Sequence, residues 1–356
     1  MEERVDFLKA LLDESGPSGF EVRPARLWRR EASDFADRVW ADVHGNSFAV
    51  LGEDRRPRVM LAGHMDEIGL QLTHIDEDGF LYVEGIGGWD SQVLVGQRVR
   101  VLGRDGDVPG VMGKKPIHLM KPEDRKKVTE IRDLWIDVGA ESRDQVGEMG
   151  IRVGDPAVLA SGFQRLAGDR IASRAIDNRV GAFVVLEALR LLKDDPAPHA
   201  GVVAVATSQE EIGYSGGGAR SSAFSLEPDV AVAVDVTFAT DVPDASKKEV
   251  GEHKIGGGPV LTRGSATHPL VMERLIDTAE AEEIPVTLHA SPLATRTDAD
   301  AIFLVRTGVP TGLVSIPNRY MHSPSELVSL SDLERAAQLL AAFVRALEPD
   351  VSFIQE

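Results

Sequence analysis

Gly201-Val202-Val203-Ala204-Val205-Ala206 runs through Thr207-Ser208 into Gln209-Glu210-Glu211-Ile212-Gly213. The unbroken apolar stretch predicts a strand buried on both faces, and two adjacent carboxylates stand at its end. Neighbouring side chains of a strand point to opposite faces, so the two glutamates share one face only where the chain turns. Ile212-Gly213, followed by the glycine-rich Ser215 to Gly218, permits that turn. Two like charges side by side are unfavourable unless a cation or a proton separates their roles. The stretch therefore suggests a metal site with a built-in base, against the plainer reading of solvated acids at an exposed strand edge.

Four further positions have the same placement. Arg58 to Gly63 is another short apolar run and ends in His64-Met65-Asp66-Glu67-Ile68-Gly69, where an imidazole can ligate a metal while a nearby carboxylate orients the ring. Asp177 stands just before Val180 to Leu192, which reads as a largely buried helix; an ordinary helix cap is the competing reading. Asp235 ends the apolar Val230 to Val234, and His322 follows the strand-like Gly312 to Ile316. A turn residue and a loop histidine are the plain readings of these two. Each site alone is ambiguous, but several at strand or helix ends in one chain point to a shared centre.

Composition narrows the chemistry. The chain has 356 residues, 43% of them hydrophobic, enough for one large or two smaller domains. A formal net charge of -18 argues against a nucleic-acid surface, which relies on clustered Lys and Arg. Cysteine is absent, so disulfides and thiolate ligands are excluded and any metal is held by His, Asp and Glu. Met1-Glu2-Glu3-Arg4-Val5 carries early acids and lacks the basic start of a signal peptide. No apolar run approaches the ~20 residues of a membrane span. The expectation is a cytoplasmic protein without a membrane partner.

Residues 2–13 and 22–36 have helical spacing, split by Ser15-Gly16-Pro17-Ser18-Gly19. Strand-like runs follow at Val39 to Val43, Ser47 to Leu51 and Val59 to Ala62. Between about 68 and 168 the texture changes to short strands, at Phe80 to Val83, Gln97 to Leu102, Val108 to Met112, Trp135 to Val138 and Pro156 to Ala160. Such spacing predicts a small barrel or sandwich. From Val180 onward helix and strand alternate, which predicts an α/β sheet covered on both faces. His64 precedes the β-rich segment and every other candidate follows it. If they meet, 68–168 is inserted into one catalytic domain formed by 1–67 and 169–356. Asp244 to Lys254 reads as a surface loop.

Two histidines and three carboxylates suit two divalent ions, and nitrogen and oxygen donors without sulfur fit zinc, cobalt or manganese. Such ions activate water and polarise a carbonyl, while a free carboxylate serves as general base. The Glu210-Glu211 pair divides in that way into base and ligand.

Together, His64-Met65-Asp66-Glu67-Ile68-Gly69, Asp177-Asn178-Arg179, Glu210-Glu211-Ile212-Gly213, Ala233-Val234-Asp235-Val236-Thr237 and Met321-His322-Ser323 resemble the successive motifs of the tetrahedral aminopeptidases. These are also called glutamyl aminopeptidases and sometimes labelled endoglucanase-like. The resemblance covers nearly the whole chain, including Gly87-Gly88 to Val99 and Gly110 to His118. It implies a mixed-sheet, three-layer α/β metallopeptidase domain with an inserted, PDZ-like small β-barrel for dimerisation. It implies that Asp177 bridges two metals, that His64 and Asp235 complete one site, and that Glu211 and His322 complete the other. Glu210 would be the general base for attack of a metal-held hydroxide, and Asp66 would orient His64. Removal of N-terminal residues from short peptides and assembly of dimers into a tetrahedral dodecamer follow from the same resemblance.

Thr295-Arg296-Thr297-Asp298-Ala299 departs from the Gly-Thr-Asp-Ala run expected there, with Arg296 at the glycine position. Arg296 or Arg263 is a candidate for favouring acidic N-terminal residues, since a guanidinium pairs well with a carboxylate; pairing with local acids is the competing reading. An amidohydrolase or deacylase using the same metals, and a non-catalytic scaffold, are the alternative functions. Polysaccharide hydrolysis ordinarily needs two carboxylates flanking the glycosidic bond without metal and does not suit this pattern.

Overall fold

The computed structural model describes residues 4–195, 197, 199–213 and 216–355; Met1 to Glu3, read for a leader, and Ser215 of the glycine-rich segment lie outside the described residues. Two amphipathic helices open the chain, α1 (Val5–Asp13) and α2 (Val22–Ala32). They bury Leu8, Leu11, Leu12 and Trp28, and Trp28 Nε1 donates to the Ala182 carbonyl at 2.8 Å. Strands β1 (Arg38–Ala41), β2 (Ser47–Leu51) and β3 (Arg58–His64) follow.

The β-rich segment supplies β4 (Gly69–Ile75), β5 (Leu81–Ile86), β6 (Arg98–Gly103), β7 (Gly106–Gly113), β8 (Trp135–Asp137), α3 (Arg143–Glu148) and β9 (Pro156–Leu159). The six strands close into a barrel in the order β4-β5-β8-β7-β6-β9 around its own core of Leu70, Val83, Val101, Ile136 and Ala157. The sequence reading lacks β4, whose pairing with β5 shifts register between Leu72 and His74 and so breaks the alternation that marks a strand.

The chain then forms β10 (Gln164–Arg165), β11 (Arg170–Ser173), α4 (Ile176–Asp194), β12 (Gly201–Thr207), α5 (Gly217–Leu226), β13 (Val230–Phe238) and α6 (Lys247–Val250). It closes with β14 (Val260–Gly264), α7 (Pro269–Ala281), β15 (Thr287–Ser291), α8 (Asp298–Ile302), β16 (Thr311–Asn318), β17 (Glu326–Ser329) and α9 (Leu330–Arg345). The stretch Asp244 to Lys254, read as a surface loop, contains α6.

Among the described residues the main sheet has eight strands in the order β1-β2-β12-β3-β13-β16-β14-β15. Its centre, β12-β3-β13-β16, is parallel, β2 and β14 join it antiparallel, and β15 runs parallel to β14. Strand alternation divides the apolar residues between two layers. Val59, Leu61, Ala204, Val232 and Val314 pack under α1, α2, α4, α7 and α9, while Met60, Ala62, Val203, Val205 and Ala231 pack under α5 and α8. This is a three-layer mixed α/β fold. Gly63 allows α4 its close approach beside His64: a Cβ there would lie 2.4 Å from the carbonyl carbon of Gly181.

The chain leaves for the barrel at Glu67 and returns through β11 to Arg174. These two residues meet: Glu67 Oε2 accepts from Arg174 Nη1, and Glu67 Oε1 accepts from Arg179 Nη2 at 2.8 Å and from the Gly16 amide at 3.0 Å. All three side chains are buried. Burial raises the Glu67 carboxyl, but the two guanidinium groups outweigh it and hold the group below its ordinary range. Glu67→Ala leaves two buried cations without a counter-charge, and a loss of about 3–5 kcal/mol is expected. Urea unfolding of the variant against the parent measures it.

Candidate active site

Four central parallel strands end together, and the candidate residues sit on or just beyond those ends, where α/β sheets place their sites. His64 is the last residue of β3, Asp235 lies within β13, Glu210 and Glu211 follow β12, and His322 follows β16. Asp177 occupies the first turn of α4, where Asp177 and Asn178 depart from helical geometry. The cis peptide Asp177-Asn178 lies here, and the Asn178 side chain donates to the Val234 carbonyl and accepts from the Gly181 amide.

Asp177 stands between the two histidines. Its Oδ1 is 3.1 Å from His64 Nε2 and its Oδ2 is 3.4 Å from His322 Nε2. His64 Nε2 is also 3.8 Å from Asp235 Oδ1, and His322 Nε2 is 3.4 Å from Glu211 Oε2. Two clusters result, His64-Asp177-Asp235 and Asp177-Glu211-His322, each with its donor atoms within 4.8 Å of one another. Glu210 belongs to neither, and its Oε2 is 3.8 Å from His64 Nε2.

Both rings are turned the same way. His64 Nδ1 is 3.2 Å from the Asp66 carbonyl and 3.4 Å from Asp66 Oδ1, and His322 Nδ1 donates to the Gly88 carbonyl at 2.8 Å. A carbonyl only accepts, so each Nδ1 keeps its proton and each Nε2 is the atom turned to the acids, donating to Asp177 as it stands and offering a lone pair to an ion once that proton leaves. Asp66 also accepts the main-chain N–H groups of Glu210 and Glu211, each at 3.1 Å. Gln209 and His322 hold left-handed backbone, with φ of 60° and 57°, a strain typical of functional sites.

Without ions the electrostatics are unbalanced. Burial pushes Glu210 well above the ordinary carboxyl range, against the attraction of His64 and with added repulsion from Asp235. Burial does the same to Asp235, and to Glu211, which is pushed up to about 7 with Asp177 adding to the shift. Burial opposes ionisation of Asp177 too, but hydrogen bonds from His322 and His64 outweigh it and hold that carboxyl below its usual value. Glu211 Oε1 is buried with no hydrogen-bond partner. An orphaned carboxylate oxygen, two imidazole lone pairs and a shared carboxylate form a donor set that fits a pair of divalent ions.

All seven residues singled out in the sequence meet here. Sequence reasoning missed three more acids. Glu326 accepts the amides of Asp177 and His322, and Asp298 accepts from Thr207 Oγ1 at 2.5 Å. Glu21 accepts from Gln209 N at 3.1 Å; burial pushes it up to about 7 and Asp66 adds to the shift. Asp298 lies inside a stretch quoted above and Glu326 three residues beyond one, but nothing in their spacing sets them apart.

Next to the donor clusters lies a cavity of about 1210 Å³. Helices α5 and α8 cover only part of one sheet face, and beyond them Thr262, His289, Leu313 and Ser315 floor the opening. Arg296 and Arg220 line it. Arg263 does not: it neighbours Thr262 on β14, projects to the other face, and pairs with Glu273 at 2.6 Å. Arg296 has φ of 59°, the left-handed region that explains glycine in the expected run, and its amide donates to Asp300 at 2.7 Å.

Fold and site together define a metal-dependent hydrolase built on a three-layer α/β sheet with an inserted barrel. Residues 45–339 match the M42 glutamyl aminopeptidase family. The chain is 37% identical to the lysyl aminopeptidase of Pyrococcus furiosus over 346 residues, covering 97% of each chain. The solved TET aminopeptidase of Thaumarchaeota archaeon SCGC AB-539-E09 superposes with a TM-score of 0.92 at 37% identity, over 98% of this chain and 97% of the other. The Pyrococcus horikoshii TET1 peptidase, described as assembling into a tetrahedron or a large octahedral shell, gives 0.85 at 33% identity, over 96% and 99%. The chain belongs to the M42 glutamyl aminopeptidase family and is a metallo-aminopeptidase.

If the clustered carboxylates need ions, chelation destabilises the fold and ions restore it. A divalent ion at a hundred times its Kd should add about 2.7 kcal/mol per site. Thermal melts of chelated protein across a zinc, cobalt or manganese titration measure the gain.

Proposed function

We infer that the protein removes N-terminal residues from short peptides with two divalent ions, zinc or cobalt or manganese, and a glutamate base. The observation that carries this is the placement of Asp177, whose two oxygens face different histidines. His64 and Asp235 would complete one ion site, and Glu211 and His322 the other. Bound ions would supply Lewis acidity, lowering the pKa of water and polarising the scissile carbonyl.

The chain's own groups would do the rest. Glu210 stands outside both donor clusters, with its Oε2 3.8 Å from His64 Nε2 and its side chain lining the cavity, so it would be free to take a proton from the attacking water and pass it to the leaving amine. Burial raises its proton affinity in support of that task. Asp66 would hold the His64 ring and, through two amides, the paired glutamates. The cavity would seat the N-terminal side chain.

The barrel within 68–168 would serve as a dimerisation domain, and dimers would assemble into a dodecamer. The shells attributed to the TET1 peptidase support that assembly.

Glu210→Gln should keep the ions and lose turnover by at least about 10²-fold, the lower end for general bases. His322→Ala or Asp235→Ala should lose ions as well. Metal analysis paired with hydrolysis of unblocked aminoacyl-anilides by chelator-stripped, ion-restored protein tests this; substantial turnover in Glu210→Gln would remove it as the base. Equal cleavage of N-acetylated substrates would favour a deacylase.

Arg296 would favour acidic N-terminal residues. Arg296→Ala is expected to lower kcat/KM several-fold for a glutamyl substrate and leave a leucyl substrate unchanged, compared side by side.

A further inference from the structure

Glu326 is nowhere part of the donor clusters, yet it touches the main chain of two of their members. Its Oε2 accepts the Asp177 amide at 3.0 Å and its Oε1 accepts the His322 amide at 2.9 Å, with Asn318 Nδ2 at 3.5 Å. The side chain is 2% exposed. The fold brings it there by pairing β17 antiparallel with β11, which sets Glu326 opposite Ser173, four residues before Asp177. On its other side, a bridge between Arg319 and Leu327 closes the loop that carries His322.

Both amides need an external acceptor. Asp177 lies in the first turn of α4, where N–H groups have no partner within the helix. His322 has φ of 57°, a conformation that a non-glycine residue keeps only when its surroundings over-determine it. A carboxylate accepting an amide forms a stronger bond than a neutral acceptor. Asp66 makes the matching arrangement on the opposite side, accepting the amides of Glu210 and Glu211.

We propose that Glu326 is a positioning residue that fixes Asp177 and His322 as a unit and so sets the affinity of the ion site they share with Glu211. It acts through main-chain amides on two of the three members of that site, whereas the other site shares only Asp177 with it and draws its remaining donors, His64 and Asp235, from β3 and β13. The two halves should therefore separate on mutation. This rests on the dinuclear reading given above.

Glu326→Gln is the sharp test, because an amide presents one oxygen and one NH2, so one of the two N–H groups must face a donor. Equilibrium dialysis of chelator-stripped protein against cobalt or zinc is expected to give two tight ions for the parent. The variant should keep one tight ion and bind the other about 10–100-fold more weakly, the range for groups that orient ligands. Leu327→Ala, the next residue on β17, lowers stability without touching either amide and should keep both ions. Two tight ions in a folded Glu326→Gln protein would overturn the proposal and leave the dinuclear reading intact; fewer than two in the parent would overturn both. If Glu326→Gln does not fold, amide exchange in the ion-free parent decides: slow exchange at Asp177 and His322 supports the proposal, and fast exchange at both refutes it.

Discussion

The structure is organised by the cost of crowding acids. Asp66, Asp177, Asp235, Asp298 and Glu326 are buried, Glu210 and Glu211 are half-buried beside them, and the imidazoles of His64 and His322 face Asp177 from either side. Carboxylates taken out of water without counter-charge are expensive, and proteins usually answer by protonating them or binding metal. The two divalent ions proposed above would carry four positive charges, which equals the charge of Asp177, Asp235, Glu211 and Glu210 together when all four are ionised. The remaining acids accept from N–H and O–H donors, which offsets part of the burial that still pushes Glu326 and Asp298 above the ordinary carboxyl range.

That division explains why the fold around the site is rigid where it could have been simple. Helix α4 starts irregularly at Asp177, and its Asn178 side chain ties the start to β13. Positive φ recurs at Ala175, Gln209, Arg296 and His322, each next to or within the site. Strain of this kind persists only where surroundings over-determine it. Asp66 and Glu326 give that over-determination from opposite sides, each through two main-chain amides. Mutations that relax the strain would be expected to favour stability over function.

The sequence exposed these candidate residues because an apolar run stops at or shortly before His64, Glu210 and Asp235. The central strands were legible for the same reason. What stayed hidden depends on pairing between distant segments. Glu326 reads as one more acid in a loop until β17 is set against β11, and the Glu67-Arg174-Arg179 cluster exists only once the chain has left for the barrel and returned. The β4 strand was lost to a bulge. Arg263 was misjudged because alternation on β14 decides which of Thr262 and Arg263 faces the cavity, and that phase is fixed by register with its neighbours.

The barrel is more than an appendage to the catalytic layer. Its first strand begins two residues after Glu67, and Trp89 Nε1 donates across to the Gly69 carbonyl at 2.7 Å, bracing the loop that follows β5. The same loop offers the Gly88 carbonyl to His322 Nδ1. A Cβ at Gly88 would lie 3.4 Å from that nitrogen, in contact with the ring. The orientation of one imidazole is thus fixed by a carbonyl from the inserted segment, while the other is fixed by Asp66, two residues beyond the end of β3. A group that orients a metal-binding histidine tunes its affinity. If His322 holds an ion as proposed, the barrel's seating, pinned by Glu67 against Arg174, would act on that half of the site through the Gly88 carbonyl.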